Sequence, residues 1–276
     1  MSVVINTNYA AVLARKNLAE VQRQMDKSVE RLSSGRRINN ASDDAAGSAI
    51  AGRMESQIRG LTMGVRHAKD GQSLVGTAEG AMQELNKILQ RMREIAVQSA
   101  SGVASNTDKD YLNLEMANLT AQITAIAQNT KFNDQNLLTG TAFTFYTDMD
   151  VAGTAIVTTT AACSAAALAV TAANVSIGGS STVNTSAAIN RIDVAIARVD
   201  NRRAALGAIS NRFDHIIDNL QNVIMNTVAS QSRIVDADFS VETTNLTRNT
   251  VLQQAATSML AQANAQKNSI LALIQQ

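Results

Sequence analysis

The sequence predicts a mainly α fold: a long, coiled-coil-like helical bundle formed by both chain ends, with a small β-rich insert in the middle. Three observations carry this. The 276 residues include no proline, the residue that breaks helix interiors. Apolar residues recur at alternating spacings of three and four along most of the chain, the seam pattern of helices packed side by side. Aromatics make up 3%, whereas Ala fills 45 positions and Asn plus Gln another 42. Packing must therefore come from thin, interdigitated seams, with little material to line a pocket.

The N-terminal seam is Ala11, Ala14, Leu18, Val21, Met25, Ser28 and Leu32. Ser33-Ser34-Gly35 ends it, with glycine where a left-handed residue is wanted. A second helix is expected to open at Ser42-Asp43-Asp44, a hydroxyl cap followed by two carboxylates in the positive first turn. Its seam runs through Leu61, Val65 and Ala68 to Met82, Leu85, Leu89, Met92, Ala96 and Ser99. Ser101-Gly102 and Asn106-Thr107-Asp108 mark a reversal, and Leu112, Met116, Leu119, Ile123 and Ile126 form a third seam. From Thr139 to Ser186 the composition changes to sixteen Ser or Thr and two charges. Phe143, Phe145 and the alternation around Val170–Ile177 predict short strands there. The longest seam follows, in steps from Ile189 to Thr227. The last runs Leu252, Ala256, Met259, Ala263, Gln266, Ile270, Leu273, with Leu260 beside it. Segment 240–276 carries only Glu242, Arg248 and Lys267. A helix so poor in charge is suited to burial against other copies.

Composition narrows the function. Twenty-four Lys+Arg against 23 Asp+Glu, with a pI near 7.9, argue against a nucleic-acid surface. No run of 18 apolar residues occurs, so no membrane span is expected. The opening MSVVINTNYAAVLARKNL lacks the basic-then-apolar layout of a signal peptide. A single cysteine, Cys163, excludes a disulfide framework within the chain, and His67 and His215 sit in different arms without a metal-binding spacing. No catalytic, cofactor-binding or metal site is predicted, and the chain is read as a non-enzyme. Asp43 and Asp44 have no His, Cys or second acidic cluster nearby, so they are read as capping groups paired with Arg36 or Arg37.

Particular motifs sharpen this. Ile5-Asn6-Thr7-Asn8 is followed by LSSGRRINNASDDAAG (Leu32–Gly47), DGQSLVGTAEGAMQELNKILQRMREIAVQSA (Asp70–Ala100) and TKFNDQNLLTG (Thr130–Gly140). The C-terminal arm contains RRAALGAISNRFDHIIDNL (Arg202–Leu220) and SRIVDADFSVETTNLTRNTVLQQAATSMLAQAN (Ser232–Asn264). In order, spacing and length these resemble bacterial flagellin over nearly the whole chain outside the insert. One departure is Gln266-Lys267, where the family commonly has proline before its last apolar turn. The hook–filament junction protein, the alternative reading, shares similar termini but usually carries prolines around the paired aspartates.

The resemblance implies an inner terminal coiled coil from residues 1–34 and 236–276, a helical rod from 35–138 and 187–235, and an outward-facing insert at 139–186. It implies a homopolymer, the extracellular filament of the flagellum, built from subunits exported without a cleaved signal peptide. A filament cap protein, the hook–filament junction protein and an export chaperone are implied partners. The expected polymerisation seam is Leu18, Val21, Met25, Leu32, Leu252, Met259, Leu260, Ile270 and Leu273, and the expected connector is Arg36, Arg37, Asp43 and Asp44. Arg91, Glu94, Ile95 and Gln98 match the segment of flagellins recognised by a vertebrate innate immune receptor, with Ile95 expected on the surface. The insert's hydroxyls, Thr158, Thr159, Thr160, Ser180, Ser181 and Thr182, are either O-glycosylation sites or strand residues packed against the rod.

Overall fold

The computed structural model describes residues 7–147, 155–177 and 182–274. The order is α1 (Tyr9–Ser34), α2 (Ala45–Ser99), α3 (Asn106–Asn129), β1 (Lys131–Phe132), β2 (Gln135–Asn136), β3 (Ala142–Tyr146), β4 (Ala155–Thr159), α4 (Thr182–Val235) and α5 (Phe239–Ile274). Contacts divide the chain into two units, residues 1–56 with 226–276, and residues 57–225. Segments 35–56 and 226–235 thus go with the chain ends.

The first unit is built around α1 and α5. Asn8 caps α1 by accepting from the Ala11 N–H at 3.1 Å, and Gly35 closes it at φ +69°. α2 opens later than expected. Asp44, not Ser42, is its cap, accepting from the Gly47 N–H at 2.8 Å. The α1–α2 turn is tied to the end of α4: the Arg37 N–H donates to Val235 O at 2.6 Å, and the Ala237 N–H donates to Gly35 O at 3.0 Å. These bonds flank an isolated antiparallel bridge between Arg36 and Asp236.

The second unit holds the main core. Met82, Leu85, Leu89 and Met92 of α2, Met116 and Ile123 of α3, and Ile192, Val199, Leu206 and Phe213 of α4 form one cluster. A capping box of Ser105 and Asp108 starts α3, and those hydrogen bonds hold the Asp108 carboxyl below its ordinary range. Asn133 and Asp134, at φ 48° and 61°, make the two-residue turn that pairs β1 with β2. β3 and β4 pair antiparallel, Phe143 opposite Thr158 and Phe145 opposite Ile156.

The insert is part of this core. Phe143, Ile156, Cys163, Leu168, Val170, Val175 and Ile177 are buried in the same cluster as the helices. Residues 170–177 are not a strand. Thr171 O accepts from the N–H groups of both Asn174 and Val175, so local turns point the apolar side chains inward and mimic alternation. Three α4 arginines clip the insert's carbonyls: Arg191 to Asn174 O, Arg198 to Ala167 O and Arg202 to Ala162 O, at 2.8, 3.5 and 2.6 Å.

Candidate functional site: the paired chain ends

α1 and α5 run antiparallel in a register set by polar groups. Asn8 Nδ2 donates to Ala263 O at 3.1 Å, Gln253 Nε2 donates to Gln22 Oε1 at 2.7 Å, and Arg31 Nη1 meets Glu242 Oε1 at 2.9 Å. On α1 the residues turned toward the pair are Ala11, Ala14, Leu18, Val21, Met25, Ser28 and Leu32, as the sequence predicts. On α5 the face that meets α1 is not the stripe that carries Leu252 and Met259. The helix turns Glu242, Leu246, Asn249, Gln253, Ala256, Leu260 and Ala263 to its partner, again at steps of four and three. Leu252 and Met259, expected in the seam, are 44% and 65% exposed. They share an outward stripe with Val241 and Ala255, about 100° round the helix from the seam. Polar groups share the seam with Leu246 and Leu260, while Leu252 and Met259 are left outside. Leu260 is half-buried. The side chains of Ile270 and Leu273 lie outside the described residues.

The connector residues are brought together: Asp44 pairs with Arg37 as expected, whereas Asp43 takes a different partner. Asp43 Oδ2 accepts from the N–H groups of Asn39 and Asn40 at 3.2 and 3.1 Å, and Oδ1 meets Lys27 Nζ at 2.7 Å. The Lys27 ammonium first, then these two amides, hold the Asp43 carboxyl down at about 2. Asp43 therefore fastens the turn to α1 through lysine, not through Arg36 or Arg37. Asp44 sits 3.5 Å from Arg37, whose Nη2 also donates to Ile234 O at 2.6 Å. The backbone pairing of Arg36 with Asp236 has no sequence signature and was not expected.

In the second unit Arg91, Glu94 and Gln98 lie exposed on one face of α2, with Arg91 bonded to Glu94 and Glu115. Ile95 is fully buried in the core and corrects its expected surface placement. Residue 95 lies 300° from residue 92 and 100° from 94, which turns it toward α3 and α4 with Met92. Of the insert hydroxyls, Thr158 and Thr160 are buried and Thr159 is exposed. Ser180 and Ser181 lie outside the described residues, as does the side chain of Thr182. His215 lines an open groove of about 860 Å³ with Leu61, Thr147, Arg212 and Leu220, without an acidic or second histidine partner in its walls.

Both helical arms match a family. Residues 5–142 match the bacterial flagellin N-terminal helical region and 189–274 the C-terminal helical region. A flagellin of Halalkalibacterium halodurans is 40% identical over 275 residues, covering 99% of this chain and 100% of its own. The chain belongs to the bacterial flagellin family. Among solved structures, a Bacillus cereus flagellin shares 28% identity at a TM-score of 0.50 over 56% of this chain and 88% of that one. A putative flagellar hook-associated protein of Vibrio parahaemolyticus aligns at a TM-score of 0.62 over 70% of this chain and 100% of that one. Its 14% identity shows a shared fold alone. As a flagellin the chain is a structural subunit that self-polymerises into the extracellular flagellar filament. The junction-protein alternative receives no support.

Proposed function

We propose that the outward stripe of α5, Val241, Leu252 and Met259, with the exposed Tyr9 and Val12 of α1, is the surface through which copies of this flagellin join in the filament. The observation that carries the reading is the exposure of these side chains, above all Val241, Leu252 and Met259 on α5, a helix with almost no charge. Burial of each against neighbouring copies would contribute roughly 1.5–3 kcal/mol. That burial adds to the α1–α5 seam in offsetting the ordering entropy of the two helices. Residues 1–34 and 236–276 then form the inner coiled coil, and 35–138 with 187–235 the surrounding rod.

Export without a cleaved signal peptide, growth beneath a cap protein, junction to the hook and escort by an export chaperone complete this reading. The Arg91, Glu94 and Gln98 face is the receptor-binding candidate, without Ile95. The test is Leu252→Asp and Met259→Asp, each examined by electron microscopy of sheared filaments. Loss of filaments with a normally melting second unit supports the reading. Normal filaments from both variants overturn it.

A further inference from the structure

The α1–α5 pair contains a cavity of about 290 Å³. Lys27, Ser28 and Arg31 of α1 and Glu242, Arg248 and Asn249 of α5 stand on its walls. Several polar groups there have no partner among the described residues. Asn249 is 6% exposed, yet its side-chain amide makes no hydrogen bond. The Ser28 hydroxyl, on a residue 5% exposed, makes none either. Arg31 Nε is buried without an acceptor, because the bond to Glu242 uses Nη1.

The unused groups share one chemistry. The guanidinium N–H can only donate, and the amide and hydroxyl each have a proton to offer. The wall charges are three cations against Glu242. Lys27 is engaged by Asp43 at 2.7 Å and Arg31 by Glu242 at 2.9 Å, and Arg248, solvent-exposed at the cavity rim, forms no ion pair among the described residues. Water would give the amide, the hydroxyl and the buried Arg31 Nε ordinary hydrogen bonds but would not pair with Arg248. A negatively charged acceptor does both, through charge-assisted hydrogen bonds.

We propose that this cavity is a binding site for a small oxyanion, held by Arg248, Arg31 Nε, Asn249 and Ser28. The oxyanion is free inorganic phosphate or sulfate, or a carboxylate offered by a neighbouring copy in the filament. The site needs α1 and α5 paired as described, and it does not depend on which outer residues drive polymerisation. Occupancy would brace the seam at the one stretch where its polar residues lack partners.

The experiment follows the temperature at which sheared filaments depolymerise, at constant ionic strength in chloride, as inorganic phosphate is raised through the low-millimolar range. Wild type is compared with Arg248→Gln, Arg248→Lys and Asn249→Leu. A midpoint that climbs with the logarithm of phosphate in wild type, and stays flat in Arg248→Gln and Asn249→Leu, establishes a free-anion site. A midpoint indifferent to phosphate, lowered by Arg248→Gln and restored by Arg248→Lys, establishes a neighbour's carboxylate. An equal rise in wild type and Arg248→Gln is a general salt effect and overturns the proposal. So does indifference to phosphate with Arg248→Gln and Asn249→Leu both as stable as wild type, since the cavity then holds only water.

Discussion

Gly71 of α2 lies against the ring of Phe213 of α4, so close that a Cβ at position 71 would stand 2.6 Å from Phe213 Cζ. Phe213 is fully buried and packs edge-on against Phe145 of β3, ring centres 5.7 Å apart. Missing one side chain, α2 gives α4 and the insert room to share a single aromatic contact. Gly71→Ala should therefore lower the stability of the second unit by about 1–3 kcal/mol through overpacking. Gly76, with nothing within 4 Å of its Cβ position, is the control. There alanine should be neutral or stabilising by up to about 1 kcal/mol. Thermal unfolding of the monomers compares them, and equal melting temperatures would refute the contact's importance.

Glu242 and Arg31 form the least exposed ion pair of the α1–α5 seam. Glu242→Leu should weaken filaments by roughly 1–3 kcal/mol per subunit, since it strands the Arg31 charge. Arg31→Met with Glu242→Leu should recover most of that loss, because both polar groups are gone. A double variant as weak as the sum of the two single variants would show that the pair does not act as a unit.

The acid limit of the connector follows from Asp43, whose carboxyl is held at about 2 against an ordinary 3.8. A depressed carboxyl contributes stability that is complete above the ordinary value and is lost as pH falls through the depressed one. Filaments should thus lose the Asp43 contribution between about 3.8 and about 2. Asp43→Asn, which keeps an acceptor for the Asn39 and Asn40 amides, should be less stable than wild type at neutral pH and converge with it across that window. Asp43→Leu should be worse than Asp43→Asn throughout. Depolymerisation midpoints against pH check both statements, and equal damage from Asn and Leu would show that the bonds from the Asn39 and Asn40 amides contribute nothing.

Much of this was legible in the sequence wherever a single partner surface decides which face is buried. Leu18, Val21 and Met25 on α1, and Ile192, Val199 and Phe213 on α4, fall where their spacing puts them. α5 is harder to read for a physical reason. Two stripes at the same heptad spacing coexist on it, and the more apolar one, with Leu252 and Met259, is not the one that faces α1. Hydrophobicity indicates which face will be buried in an assembly, not which neighbour buries it. Ile95 errs the other way: α2 is flanked by two helices, so its buried face is wider than one seam. The β1–β2 turn carried a readable signal in Asn133-Asp134, both at positive φ. The Arg36–Asp236 bridge rests on backbone bonds, which no side-chain pattern encodes.

Cys163 should be chemically silent in the folded subunit. It is fully buried, and burial pushes its thiol up, only partly opposed by the Arg202 guanidinium 3.3 Å away. Thiolate is the reactive form, so alkylation should be undetectable in native protein and complete in denaturant. Rapid labelling of native filaments by iodoacetamide would mean that the insert opens far more readily than its packing allows.

The insert's threonines separate into candidates and non-candidates for O-glycosylation. Thr158 stands opposite Phe143 with its hydroxyl buried and unbonded, and Thr160 Oγ1 donates to Thr141 O at 2.9 Å. A sugar on either would require β4 to leave the core, because a strand alternates its faces strictly. Thr159, between them, points outward and is exposed. A surface so poor in charge gains solubility from attached sugars, which is the physical motive for modification. If the filament is modified in β4, intact mass spectrometry should show a mass above that calculated from the sequence. Thr159→Ala should then remove one increment, while Thr158 and Thr160 are recovered unmodified in peptide maps. A wild-type mass equal to the calculated one, allowing for loss of Met1, would exclude glycosylation altogether, and a sugar mapped to Thr158 would show that the buried face of β4 becomes accessible before the insert closes.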